Sequence, residues 1–92
     1  MIQSPAILVY PLAFPNEPLI VGGADFPSCY DKLKRLNIPY HKSSAIEGFL
    51  TDRHAFLDRY DALYEAARCG QIQLDKAERR ALHVSDIWDD SR

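Results

Sequence analysis

GFLTDRHAFLDRYDALYEAARCGQI, residues 48–72, decides the fold, because the type and both ends of its helix can be argued residue by residue. Asp58 stands where an N-cap belongs: its carboxylate can accept from first-turn N–H groups that have no partner inside the helix. The helix is expected to begin at Arg59. Asp61 adds negative charge at the positive end of the helix dipole, Arg68 places positive charge in the last turn, and Gly70 supplies the left-handed residue that ends it. Ala62, Ala66 and Cys69, with Leu63 and Ala67 beside them, recur at three- and four-residue steps as one small apolar stripe. Such a stripe lets a helix sit close on a sheet. Ahead of it, residues 49–51 and 55–57 read as a tight hairpin around Asp52, Arg53 and His54.

Upstream, AILVY at 6–10 is an apolar run of strand length with branched and aromatic members, and it is expected as a buried strand that Pro11 ends. Pro11, Pro15, Asn16 and Pro18 make a connection that cannot pair as a central strand. Residues 19–21 resume extended structure, antiparallel to the first strand, until Gly22 and Gly23 stop it. Leu12 and Phe14 are expected to fold back as a satellite apolar contact, with an outward binding role as the alternative. Asp25 as cap and Pro27 in the first turn open a helix whose inward face is Cys29, Leu33 and Leu36, with Tyr30, and which Asn37 ends before Pro39.

Downstream of Gly70, residues 71–74 are expected to be extended. Asp75 and Glu78 have capping-box spacing for a short helix over 76–82. Trp88 is expected to close the core, with an interface anchor as its alternative.

Composition bounds the rest. Ninety-two residues, 47% apolar and 26% charged, describe one globular domain over 1–92, too short for two independent cores. The fold class expected is α+β: a small, mostly antiparallel sheet of three to five strands, two main helices on one face and a short C-terminal helix. No run approaches the roughly 18 apolar residues a membrane span needs, and no secretory signal opens the chain, so a cytoplasmic protein without a membrane partner is expected. Cys29 and Cys69 read as reduced, buried small side chains. A net charge of −2 argues against a protein that coats nucleic acid. The charge is bipolar, with Lys32, Lys34, Arg35 and Lys42 in one stretch and Asp86, Asp89 and Asp90 at the end.

Gly48, Phe49, Thr51, Phe56, Leu57, Asp58, Arg59, Ala62, Gly70, Gln71, Ile72, Ser85 and Asp86 follow a pattern of the form GFxT, turn, F[VL]DRx[ED]A, GQ[IV], SxD. In this the chain resembles small phage and prophage accessory proteins of unassigned role. It departs from them at Arg53-His54, where a glycine is usual, and at Ala24-Asp25-Phe26, where a basic-histidine start is usual. The resemblance implies a phage accessory protein of the host cytoplasm, and small acidic proteins of that origin are often inhibitors of host defence systems.

The expected role is therefore non-enzymatic: an inhibitor, in the manner of an anti-CRISPR, that occupies a surface of a host protein or nucleoprotein complex. Ligand or partner contacts are expected from Gly22, Gly23, His41, Lys42, Ser43, Arg53, His54, Arg59, Trp88, Asp89 and Asp90. The alternative is sequestration of a nucleotide or other small anion by Gly22, Gly23, His41, Lys42, Arg53 and Arg59, since strand-to-helix amides and clustered cations suit negative charge. A small hydrolytic enzyme is a second alternative, with Ser43 or Ser44 beside His41 or His54 supplying residue types without a motif. The cysteines and histidines lack zinc-ligand spacing, so no metal or cofactor is expected, and homodimerisation is compatible with so small a domain.

Overall fold

A computed structural model describes residues 1–73 and 79–88. Four strands, β1 (Ile2–Val9), β2 (Leu19–Gly22), β3 (Ile46–Thr51) and β4 (Phe56–Asp58), form one antiparallel sheet in the order β2-β1-β3-β4. Helices α1 (Phe26–Leu36) and α2 (Arg59–Arg68) cover one face of it, and a single turn of helix, α3 (Val84–Ile87), follows near the C-terminal end. This is the small α+β arrangement that the sequence implies.

The helix ends form as their residues dictate. Asp58 accepts from the N–H groups of Tyr60 and Asp61, and Gly70 has φ 77°, in the left-handed region where a side chain is strained. The Gln71 N–H then reaches back to the Ala66 carbonyl at 2.8 Å, closing the last turn. Asp25 caps α1 through the Ser28 N–H at 2.8 Å, and Asn37 ends it in the left-handed conformation.

Strand alternation divides the side chains between two faces. Ile7, Val9 and Val21 meet Cys29 and Leu33 of α1, while Ile2 and Phe49 meet Ala62, Leu63 and Ala66 of α2 together with Leu82. Phe26 bridges the two clusters and meets Phe49 edge-on at 5.7 Å. Trp88 stacks on Phe49 at 6.3 Å, so it packs against the core as a closing ring.

Three details depart from expectation for identifiable reasons. First, β1 begins at Ile2 and not at Ala6: buried Pro5 sits within the strand, its nitrogen on the side where its carbonyl accepts from Gly23, beyond the last paired residue of β2, so no ladder bond is lost there. Second, Leu36 lies in the final turn of α1 beyond the sheet and is 58% exposed, and Leu12 and Phe14 stand out from the connection at 48% and 61%. Third, the helix expected over 76–82 lies partly outside the described residues, at 76–78, and residues 79–82 are not helical. Leu82 instead lies flat against α2, its N–H donating to the Arg59 carbonyl at 2.9 Å. Residues 71–73 are likewise not a strand.

Candidate functional site: a bare sheet face

The face of the sheet opposite the helices is built by the register. Ile20, Leu8 and Ile46 are direct cross-strand neighbours, and so are Gly22, Ala6 and Gly48, and then Ser4, Leu50 and Phe56. The middle row is a trough of minimal side chains. A Cβ on Gly48 would collide with the Leu57 carbonyl oxygen and lie 2.6 Å from Phe56 Cζ, so the Phe56 ring rests directly over that glycine. Leu50 leans the same way, its Cδ1 3.3 Å from where a Cβ on Gly22 would stand. Ala6, between the two glycines, is completely buried. The outer row has no such cover: Ile20 is 38% and Ile46 42% exposed, and Tyr10 at the end of β1 is 39% exposed. The face thus presents an apolar ridge across three strands, without an ionised side chain in its rows other than Asp58, whose carboxylate is the α2 cap.

Of the sequence-expected residues, Gly22 lies in the middle row of this face and the other described ones lie elsewhere. Arg53 and His54 form the β3–β4 turn, where His54 adopts φ 61°. His41, Lys42 and Ser43 lie at the opposite end of β3, about 20 Å away for a six-residue strand. These groups do not converge. Gly22 and Gly23 end β2, where the Gly23 N–H donates to Pro5 and a Cβ would press on Cys29 Sγ at 3.1 Å. Gly23 and Trp88 do share a small cleft of about 310 Å³ with Gln3, Ser4 and Ala24. Lys42 lines a separate groove with Tyr30, Lys34 and Tyr40. Asp89 and Asp90 lie outside the described residues.

Arg59 is engaged in the fold. Its Nε donates to the Leu82 carbonyl at 3.0 Å, an Nη lies 3.0 Å from His83 Nδ1, and its guanidinium sits over the Phe26 ring. Since arginine only donates, His83 Nδ1 is the acceptor there. A longer contact of 3.7 Å reaches Glu47, whose other oxygen accepts from the Tyr30 hydroxyl. Burial, with the Glu47 charge adding to it, pushes that phenol up to about 12. Tyr30 and Glu47 form a pairing that sequence reading missed, since they come from different elements without any spacing signal.

The hydrolytic alternative does not find its geometry among the described residues. The Ser44 hydroxyl donates to the backbone carbonyl of His41 at 2.6 Å, while His54 occupies the far turn. No three of the His, Cys, Asp and Glu side chains come together as metal donors among the described residues. No described helix is long and apolar enough to cross a membrane.

A family model for the phage T4 y16D protein matches residues 22–88. The chain belongs to the phage T4 y16D protein family. It is thus a small phage-type protein, as the resemblance implied. No curated protein and no solved structure gives a significant match. The y16D match takes in both long helices, β3 and β4 but begins only at the last residue of β2, so the central strand β1 lies outside it.

Within that span the pattern residues have structural roles. Thr51 Oγ1 accepts from the N–H groups of Arg53 and Ala55 and shapes the turn. Gln71 accepts from the Ile2 N–H at 2.7 Å and donates to the Ile2 carbonyl at 3.0 Å, so its amide pairs with β1 as one residue of a neighbouring strand would. Asp86 takes the Arg80 guanidinium on both oxygens and also accepts from the His83 N–H.

Proposed function

We propose that the protein is a non-enzymatic inhibitor that acts by occupying a surface of a host defence complex, with the bare sheet face as its docking surface. The observation that carries this reading is the Ile20–Leu8–Ile46 ridge, apolar and with no described helix over it, in a chain small enough to need its apolar surface for folding. Membership of a phage family supports the host as the source of the partner. The structural roles of Asp58, Arg59 and Gln71 support a binder over an enzyme, because these polar side chains are already engaged with the protein's own backbone.

The test is affinity capture from a lysate of the phage's host, together with deletion of the gene from the phage. The proposal expects a defence complex to be retained through washing and the deletion phage to lose fitness on hosts that carry that system. Capture of nothing specific, with fitness unchanged, defeats it.

A further inference from the structure

A second feature lies away from the bare face. The last turn of α1 and the segment from Ile38 to Lys42 bound an open groove of about 660 Å³. Its apolar surface comes from Tyr30, Ile38, Pro39 and Tyr40, and its cations are Lys34 and Lys42. No acidic side chain lines it, and neither lysine makes an ion pair with any described residue. In a chain with 13 acidic and 11 basic residues, two unpaired cations beside two aromatic rings form a local exception to the overall charge.

The walls are held in place before any ligand arrives. The Leu12 N–H donates to the Pro39 carbonyl at 2.9 Å, and Tyr40 pairs with Pro11 as an isolated bridge, so this segment is fastened to the β1–β2 connection. On the other wall, Tyr30 is anchored through its hydroxyl to Glu47 at 3.1 Å, which fixes the ring. A preformed site loses less conformational freedom on binding than one that must be ordered first.

We propose that this groove is a binding site for a nucleotide, with the tyrosine rings receiving the base and Lys34 and Lys42 the phosphate. Aromatic side chains accept any base by its flat face, and lysine ammoniums neutralise phosphate as point charges. The volume lies inside the range of roughly 300–1,000 Å³ usual for small-ligand pockets. A bare inorganic anion would leave the rings and the Ile38–Pro39 surface unused. A nucleic-acid strand would carry further phosphates onto a protein of net charge −2, where the groove offers them no additional cation. The site shares only Lys42 with the anion set expected from sequence, and it is independent of docking through the bare face.

Isothermal titration of the full chain at low salt with AMP, adenosine, inorganic phosphate and a short single-stranded oligonucleotide tests the assignment. AMP is expected to bind, with adenosine and phosphate each weaker by about tenfold or more. The AMP affinity should fall with added salt, and proton NMR should place ring-current shifts on Tyr30 and Tyr40. The paired substitution Lys34→Met and Lys42→Met, which keeps the aliphatic stems, should weaken AMP by about tenfold or more. Wild-type salt dependence and ring shifts give the answer even where that variant folds poorly. No binding of AMP, GMP, CMP or UMP at millimolar concentration overturns the proposal. Phosphate binding as tightly as AMP, or clear preference for the oligonucleotide, also overturns it.

Discussion

The covered face of the sheet sets Ile7, Val9, Val21 and Phe49 against two helices, whereas the other face carries Leu8, Ile20, Ile46, Leu50 and Phe56 with no described helix above them. Both faces are apolar, yet they are finished differently. On the covered side Ile2, Ile7, Val9, Leu33, Phe49 and Leu63 are buried almost completely, and the polar residues Arg59 and Gln71 beside them join to backbone groups. On the bare side Phe56 folds down over Gly48 and Leu50 leans toward Gly22, and a ridge remains. The difference teaches that an apolar residue in a strand has two fates, and only the register tells which one it meets.

The largest difference between the faces should come from Phe49, which touches Phe26 and Trp88 and is fully buried. Phe49→Ala is expected to cost ~3–5 kcal/mol in urea unfolding, enough to leave so small a chain largely unfolded. A loss below ~1 kcal/mol would mean that the covered face is not the core.

Gly48→Ala ranks next and joins the two faces, because the added methyl has the β4 backbone on one side and the Phe56 ring on the other. The expected loss is ~1–3 kcal/mol, with β4 amides exchanging faster in hydrogen-exchange NMR. Unchanged stability would show that β4 can move aside freely.

Gln71→Ala removes both hydrogen bonds to Ile2 and leaves that part-buried backbone pair open, an expected loss of ~1–2 kcal/mol. Protection of the Ile2 amide should fall with it. A Gln71→Ala protein that retains both would remove the strand-mimic account of this residue.

The smallest effect concerns the rim near Met1. Glu65 is held down to about 2, from an ordinary value near 4.5, first by the Met1 ammonium at 2.9 Å and then by Cys69 and Arg68. A depressed carboxylate contributes stability that is present above its unfolded value and is lost as pH falls toward the folded one. Melting temperature should therefore drop between about pH 4.5 and pH 2, and Glu65→Gln should show a shallower drop over that window. Equal acid sensitivity in the two proteins would refute the linkage.

Much of the covered side was legible because its signals are local. Asp25, Asn37, Asp58 and Gly70 act within a few residues of themselves, so capping chemistry located both long helices before any tertiary contact was known. The β3–β4 hairpin was legible for the same reason. The extension of β1 back to Ile2 was not legible, because a proline within a strand is tolerated only where the neighbouring strand has ended, and only the pairing shows that β2 stops at Gly22. The apolar ridge was hidden by distance, since Ile20, Leu8 and Ile46 become neighbours only through strand pairing. A signal for it did exist: AILVY is apolar at odd and even positions alike, which is what a strand with apolar residues on both faces looks like. The site residues expected from sequence were chosen by side-chain type, and type alone carries no information about convergence. Hence His41 and His54 lie at opposite ends of one strand.

Retention of the host complex by the paired substitution Ile20→Lys and Ile46→Lys, beside wild type of matched folded fraction, is the most direct measurement. Lysine keeps methylenes over the sheet and sets a charge where a partner would sit, so unfolding should shift by ~1 kcal/mol or less. The account predicts retention reduced by about tenfold or more in a protein that is still folded. Full retention by that folded variant would contradict it.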